Sequence, residues 1–321
     1  MGWRLRIRHV TGFTYAGTAH ASYNEARMTP LTMAGQTTLF SQVECVPGAT
    51  TWRYRDYWGT QVTVFDLQRP HQQLRVTASS LVETTDRVPV AGVASWSSLR
   101  SPSTMDEFAE TLAATPLTTV DSDLAAQAAV LAGSLSPSGA AHAIADWVRS
   151  NVEYVPGSTG VRTSAQDAWS LRKGVCQDIA HLTLGMLRAV GIPARYVSGY
   201  LFPLAGGAVG DTVAGQSHAW VEWWSGDWVP SEHRSGRDGG DYPPGLSSWV
   251  SSRLCGIPDG TNRLGPAAPP ATPPSPRPSP RTRIRPMTAS AGSPSPRPRG
   301  RAAGTTPRRA GASSRSSSSW P

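Results

Sequence analysis

GVCQDIAHLTLGMLRAVGIPARYVSGYL, which spans residues 174–201, decides how this chain folds. The spacing of its apolar residues from Ile179 to Leu187 predicts a buried helix that begins at Cys176. Gly191 suits the position just after a helix end, and Pro193 prevents the helix from continuing. The last eight residues, ARYVSGYL, predict a strand. A cysteine therefore stands at the start of a helix that leads into a sheet.

The residues after this stretch predict further strands of the same sheet. A glycine-rich loop over 205–215 leads to SHAWVEWW at 217–224, and Gly226-Asp227 turns the chain into WVPSE at 228–232. A helix followed by several antiparallel strands is typical of an α+β domain. We therefore predict an α+β core domain over 121–255.

The residues before the core segment are predicted to form a β-domain, a connector and three helices. Residues 1–85 contain alternating segments such as WRLRIRHVTGFTY, separated by turn signals, which predict an N-terminal antiparallel β-domain. Residues 86–120 show few periodic features and are interpreted as a connector. Three helices are then expected at about 123–133, 138–151 and 164–172.

The C-terminal residues 256–321 are dominated by Pro, Arg, Ser, Ala and Gly. They cannot bury enough apolar surface to offset the cost of ordering, so a disordered tail is predicted. Residues 264–321 carry ten arginines and no acidic residue, whereas the rest of the chain has 20 basic and 22 acidic residues. The folded part is nearly neutral and indicates no specific nucleic-acid partner. Nonspecific phosphate affinity of the tail is a weaker alternative.

Composition restricts the compartment and the chemistry. The chain has 321 residues and no run of eighteen apolar residues, so no membrane span is expected. Its N-terminus, MGWRLRIRHV, lacks the apolar segment of a secretory leader, and a cytoplasmic location is expected. The chain has only three cysteines, Cys45, Cys176 and Cys255. This small, odd number argues against a framework of disulfide bonds. A reactive thiol is compatible with this count.

Cys176 is the first candidate catalytic residue. At a helix N-terminus the helix dipole and the backbone amides favour a thiolate, and the same amides can stabilise an oxyanion. A lone cysteine is more often a small buried apolar residue. Its position at a helix start is therefore suggestive but does not by itself indicate catalysis.

His218 and Glu232 are the candidate partners of the thiol. A nucleophilic cysteine needs a histidine base brought from elsewhere in the chain and a third group that orients it. His218 opens one strand of the predicted hairpin, and Glu232 lies on the other. Isolated residues of these types are usually structural or solvated. The spacing of Cys176, Asp178, His181 and His218 matches no zinc-site pattern, so no metal site is predicted.

Four motifs in this order resemble the core of bacterial transglutaminase-like proteins. They are GVCQDIAHL at 174–182, GIPARYVSGY at 191–200, SHAWVE at 217–222 and WV at 228–229. The upstream residues resemble the N-terminal β region that accompanies this core in bacteria, on Tyr15, YNEARMTP at 23–30, DYWG at 56–59 and Pro70-His71. The resemblance extends over roughly residues 1–230.

The resemblance implies a papain-like α+β fold and a Cys-His-acid triad without a cofactor or metal. Cys176 would attack an amide carbonyl of a protein or peptide substrate and form a thioester, which water or an amine resolves. Hydrolysis is favoured over transamidation because water is far more concentrated than any amine. Gln177 and Asp178 match the family pattern beside the cysteine, and with Trp220 they are expected to support the site. His181 is expected to pack or hydrogen-bond.

The sequence departs from the family pattern after Pro230. The family continues with an Asp, then Pro and Thr, whereas this chain has Glu232 at the Asp position and no Pro-Thr after it. Either Glu232 replaces the aspartate, or the reading frame changes shortly after Pro230 and the terminal strands are lost. A frame change in a GC-rich gene explains the arginine- and proline-rich tail and is the favoured hypothesis. A catalytically impaired binding module is the alternative function.

Overall fold

A computed structural model describes residues 2–85, 94–201, 208–215 and 217–231, together with strands at 249–255, 281–284 and 287–291. It contains antiparallel N-terminal sheets followed by helices packed on an antiparallel sheet. The α+β prediction is therefore confirmed. Among these residues no helix is both long and apolar enough to span a membrane.

Six strands form the N-terminal region. After them the described part of the chain contains seven helices, and most of the later strands follow the last helix. The first set is β1 Trp3–Ala19, β2 Ser22–Ala26, β3 Gln36–Val46, β4 Thr51–Arg55, β5 Gln61–Leu67 and β6 His71–Thr84. The helices are α1 Trp96–Leu99, α2 Pro102–Glu107, α3 Ala109–Leu112, α4 Ser122–Ala132, α5 Pro137–Asn151, α6 Ala165–Leu171 and α7 Cys176–Ala189. The later strands are β7 Glu153–Tyr154, β8 Lys173–Gly174, β9 Ala194–Leu201, β10 Thr212–Gly215, β11 Ser217–Trp224, β12 Trp228–Pro230, β13 Trp249–Cys255, β14 Arg281–Ile284 and β15 Met287–Ala291.

The N-terminal domain is built from two antiparallel sheets. β1 pairs with β6 and β6 with β3, whereas β5 lies between β2 and β4 in a second sheet. Along β6 buried and more exposed residues alternate, as a strand with one covered face requires. Phe65 and Leu67 of β5 pack with Leu74 and Val76 of β6 in one buried cluster. The two sheets therefore share this core.

The three helices expected before Cys176 are present within one or two residues of their predicted bounds. Each begins at a side-chain cap: Asp121 accepts a hydrogen bond from the Leu124 amide, and Ser136 and Ser164 cap the next two helices. α5 buries Ile144 and Val148 on one face. These caps are local sequence features, which is why the pattern located the helices.

α7 is the central helix of the core and is buried on nearly all sides from Ala180 to Arg188. A Cβ atom on Gly185 would lie 2.3 Å from the Thr118 carbonyl oxygen, so only glycine allows this close approach. Arg188 Nη1 donates to the Ala113 carbonyl at 2.9 Å, and its Nη2 donates to the Ala194 carbonyl at 2.9 Å. These contacts attach the connector and β9 to the helix.

The core sheet has the strand order β12-β11-β9-β13. β9 and β11 occupy the predicted ranges and pair antiparallel from Ser217–Tyr200 to Trp223–Ala194. Tyr200 also packs with Leu5, Ile7 and Val82 of the N-terminal domain. The core sheet therefore packs against α7 and also contacts the N-terminal β-domain.

The connector and the predicted tail contain more secondary structure than their composition indicates. The connector holds the short helices α1, α2 and α3, of which the first two begin at the capping serines Ser95 and Ser101. Within the predicted tail β14 and β15 pair antiparallel with β1. The remaining tail residues lie outside the described part of the chain.

Candidate active site

Cys176 occupies the first position of α7, as the sequence predicts. Val175 precedes it in extended conformation, and its carbonyl accepts the amides of Asp178 and Ile179 at 3.0 and 3.1 Å. The thiol therefore lies at the positive end of a fourteen-residue helix. It is partly exposed, whereas Cys45 is buried.

Asp178 holds the chain that enters this helix. Its fully buried carboxylate accepts hydrogen bonds from the Val175 amide at 2.7 Å and from the Thr159 hydroxyl at 2.5 Å. Burial raises the pKa of Asp178, and the two hydrogen bonds oppose that rise. The carboxylate thus fixes the backbone on the N-terminal side of Cys176 and connects it to the loop at Thr159.

His218 is the second residue of β11 and is only 6% exposed. It pairs with Gly199 of β9, and its ring stacks on Trp220 with centroids 6.3 Å apart. Burial lowers the pKa of His218 to about 4, and the positive charge of Arg149 adds to that effect. Both effects favour the uncharged form of the imidazole.

Cys176 and His218 line the same cavity, which opens partly to solvent. The described lining is small or apolar apart from the catalytic candidates, Arg149 and two hydroxyl residues. It consists of Ala145, Arg149, Cys176, Ile179, Ala180, Thr183, His218, Ala219, Trp220, Val221 and Ser231. The tertiary structure thus brings together a thiol and an imidazole that are far apart in the sequence.

The end of the β11–β12 hairpin also reaches this cavity. Ser231 donates its amide to the Val221 carbonyl at 2.7 Å, and the Val221 amide donates to the Ser231 hydroxyl at 3.3 Å. Ser231 lines the cavity, although the sequence did not single it out. Glu232, the predicted acid, is the next residue and lies outside the described part of the chain.

The predicted supporting residues occupy different places. Trp220 lines the cavity and is 2% exposed, whereas Gln177 lies at the helix start, with its amide nitrogen 3.4 Å from the Gly160 carbonyl. His181 is buried beside Tyr196, with ring centroids 5.6 Å apart, and is absent from the described cavity lining. Within the described residues no group of three or more His, Cys, Asp or Glu is placed to hold a metal ion.

An ion pair between β9 and β11 fixes the strand that carries His218. Arg195 donates Nε and Nη2 to the same Glu222 carboxylate oxygen at 2.8 and 2.6 Å. The Arg195 guanidinium also lies over the Trp228 ring of β12, 4.1 Å from its centroid. These contacts connect three strands of the core sheet, and no local sequence pattern indicates them.

Arg149 is a charged cavity residue that, like Ser231, the sequence pattern did not indicate. It lies in the last turn of α5, and its Nη2 is 3.4 Å from an Asp146 carboxylate oxygen. A basic residue near a helix C-terminus is ordinary, so its sequence position carried no signal of a site. Only the packing of α5 beside α7 and β11 shows that its charge acts at His218.

Comparisons with known proteins agree with this architecture. The family model for the transglutaminase-like superfamily matches residues 125–233, and that for the bacterial transglutaminase-like N-terminal region matches residues 5–83. The uncharacterized protein ML0607 of Mycobacterium leprae is 48% identical over 226 residues, covering 70% of this chain and 81% of that protein. The uncharacterized protein Rv2569c of Mycobacterium tuberculosis is 29% identical over 236 residues, which cover 69% of this chain and 74% of that protein.

One solved structure has a similar fold. It is a protein from Cytophaga hutchinsonii described as a candidate cysteine protease, with a TM-score of 0.62 and 22% identity, covering 80% of this chain and 82% of that one. At this identity the likeness shows the fold alone. It agrees with the predicted order of a β-domain followed by a helix-bearing core.

Proposed function

The chain belongs to the transglutaminase-like superfamily, and from that premise we propose that it is a cysteine enzyme that cleaves or transfers amide bonds of a protein or peptide through a thioester on Cys176. The observation that carries this proposal is the shared cavity of Cys176 and His218. A fold kept only for binding has no need of a thiol at a helix start facing the same space as a neutral imidazole.

The residues support a two-stage reaction. His218 accepts the Cys176 proton, and the sulfur attacks the amide carbonyl carbon as the carbonyl π electrons move to oxygen. Backbone amides at the start of α7 are suited to stabilise that oxyanion. When the carbonyl re-forms, the C–N bond breaks, and the imidazolium returns its proton to the leaving amine. An S-acyl thioester remains.

Water or a second amine resolves the thioester. His218 takes a proton from the nucleophile as it attacks, the C–S bond breaks, and the thiol is restored. Hydrolysis is the outcome that we propose, because the cavity opens partly to solvent and water outnumbers any amine. Glu232 is proposed to orient the imidazole, because it directly follows Ser231, which lines the cavity.

The proposal is tested by labelling Cys176 with iodoacetamide across pH and reading each cysteine by mass spectrometry. We expect Cys176 to label below pH 8 and ahead of Cys45, and to lose that lead in His218→Ala. An unreactive Cys176 in folded protein would favour the binding module instead.

Turnover is tested by incubating the protein with a peptide library and trapping the acyl group. Intact-mass spectrometry should show an adduct on Cys176 that hydroxylamine releases and that Cys176→Ala lacks. Loss of His218 is expected to lower the acylation rate by about 10²–10⁴-fold, as for other general bases. If Glu232→Ala lowers the acylation rate to a similar extent and Glu232→Asp restores it, Glu232 orients the imidazole. If neither variant changes the acylation rate, Glu232 does not have this role.

A further inference from the structure

Strand β4 lies at the edge of the N-terminal sheet β2-β5-β4 and is exposed on both faces. Among the described strands only β5 pairs with it. The four residues from Trp52 to Arg55 are all exposed, and Trp52 is 71% exposed. Proteins usually protect such an edge with prolines, bulges or charges, because its backbone groups can pair with another chain. β4 has no proline and keeps a regular register with β5, so its backbone is accessible for pairing.

The hydrogen bonds between β4 and β5 determine which backbone groups face outward. The Asp56 amide donates to the Thr60 carbonyl at 3.0 Å, and this pair continues the register of the two strands. Bonded pairs alternate along an antiparallel ladder, so every second residue before Asp56 directs its backbone groups to β5. The residues between them direct their N–H and C=O groups to the free edge. They are Thr51, Arg53 and Arg55.

The side chains of β4 differ in chemistry between its two faces. Trp52 and Tyr54 lie on one face, and the two arginines lie on the other, because side chains alternate along a strand. The Tyr54 hydroxyl donates to the Glu25 carboxylate at 3.1 Å, which fixes its ring. Within the described residues no ion pair or hydrogen bond holds the guanidinium of Arg53 or Arg55. A strand added to this edge would meet two cations on one face and two aromatic rings on the other.

The charge of this edge restricts what can occupy it. A second copy that paired antiparallel through β4 would place arginines near arginines, and like charges opposite each other destabilise a sheet. Residues 264–321 of the chain carry ten arginines and no acidic residue, so the same repulsion applies to them. Protection against aggregation explains the arginines but not Trp52, because an exposed indole favours association. The occupant that fits is an acidic segment of another protein.

We propose that β4 is a docking edge for an extended acidic segment of a partner protein, which adds to the sheet as a further strand. In this mode of recognition the main-chain hydrogen bonds provide affinity and alternate side chains provide specificity. Acidic residues at every second position would pair with the arginines, and apolar residues between them would pack on Trp52 and Tyr54. The cavity of Cys176 takes no part, so this inference goes beyond the proposed function and does not depend on it.

Two short synthetic peptides of equal length test the charge preference. One alternates Glu with Val, the other alternates Lys with Val, and each carries a fluorophore at its N-terminus. Fluorescence anisotropy with full-length Cys176→Ala, which excludes turnover, gives the Kd of each peptide. We expect the acidic peptide to bind at least about fivefold more tightly at low ionic strength, and the difference to shrink as salt is added.

Variants test whether β4 is the binding edge. Arg53→Glu/Arg55→Glu should reverse the preference between the two peptides. The matched control, Arg6→Glu/Arg8→Glu, changes the net charge equally at two exposed arginines of β1 and should keep the preference. Trp52→Ala should weaken binding of the acidic peptide at least about threefold, because it removes an aromatic cross-strand contact. Thermal melts of each variant check folding.

Amide hydrogen exchange at residue resolution tests the addition of a strand. The acidic peptide should slow exchange of the amides that face the free edge, those of Thr51, Arg53 and Arg55. The amides of Trp52 and Tyr54 should not change, because β5 already pairs with them. Binding that leaves the outward amides unprotected would show that no strand is added, and the proposal would be wrong.

The remaining outcomes also decide the proposal. It is wrong if the acidic peptide is not preferred, or if Arg53→Glu/Arg55→Glu keeps the preference. Protection of the outward amides in the free chain would also overturn it: protection lost on dilution assigns the edge to a second copy, and protection independent of concentration assigns it to the chain itself. None of these results depends on the reactivity of Cys176, so failure here leaves the proposed function intact.

Discussion

Gly174 and Asp178 approach each other so closely that a Cβ atom at position 174 would lie 2.7 Å from the Asp178 Cβ and 2.9 Å from its carboxylate. This contact packs the short strand β8 directly against the first turn of α7. The position of Cys176 between these two residues is therefore set by a glycine before it and an acid after it.

Gly174→Ala should lower the free energy of unfolding by about 1–3 kcal/mol, because Asp178 must move to admit the methyl group. Urea denaturation measures this change, and iodoacetamide labelling should show a slower Cys176. The matched control is Gly48→Ala, since a Cβ there meets nothing within 4 Å. Equal midpoints for both variants would contradict the close approach.

Asp178→Ala removes the acceptor of both Val175 and Thr159. We expect the free energy of unfolding to fall by about 1–3 kcal/mol, because the Val175 amide next to the helix start loses this hydrogen-bond acceptor. Thr159→Val deletes one of the two hydrogen bonds and should cost about 1 kcal/mol. Chemical denaturation of both variants checks this order, and a larger cost for Thr159→Val would be inconsistent with the geometry.

The Arg195–Glu222 pair is largely shielded from solvent, with side chains 15% and 9% exposed. Glu222→Leu alone should lower the free energy of unfolding by up to about 3–5 kcal/mol, because it leaves a mostly shielded guanidinium without the Glu222 carboxylate. The double variant Arg195→Met/Glu222→Leu should recover most of that loss. A double-mutant cycle in urea tests the coupling, and additive losses would show that the two charges act independently.

Acid should destabilise the protein through His9, His181 and His218. Burial lowers the pKa of each to about 4 in the folded protein, whereas the unfolded chain titrates near the ordinary value of 6.5. Between these values the unfolded state binds more protons, so stability falls as pH drops from about 6.5 towards 4 and is unaffected by these groups above 6.5.

Urea midpoints between pH 7 and pH 4.5 measure that dependence. His9→Gln should reduce the slope of unfolding free energy against pH, because it removes one of the three titrating rings. His9 lies between the domains, with Nδ1 3.1 Å from the Tyr200 hydroxyl oxygen and Nε2 3.2 Å from the Thr11 hydroxyl oxygen. Midpoints that do not change with pH would show that these imidazoles titrate alike in the folded and unfolded chain.

The helix and strands of the core could be predicted because the residues that specify each element lie within that element. The start of α7 at Cys176 and the ranges of β9 and β11 agree with the sequence pattern. The helices of the connector were missed because four to six residues are too short to show periodicity. The capping serines Ser95 and Ser101 were the available signal.

The candidate site was predicted in part. The pairing of Cys176 with His218 followed from resemblance to a family, since no spacing along the chain indicates that two distant residues meet. Arg149 and Ser231 could not be predicted, because their side chains are ordinary for a helix end and a hairpin end. Glu232 remains a prediction from the sequence.

The sequence by itself determined where the longer helices of the core and the strands β9 and β11 begin, because caps, glycines and apolar spacing act over a few residues. It also determined that a cysteine opens the central helix. Only the tertiary structure decided that α5 brings a cation to the cavity of Cys176 and His218, and that Asp178 is buried beneath the helix start. Such contacts depend on how distant elements pack, and packing is set by the shapes of all the buried side chains together.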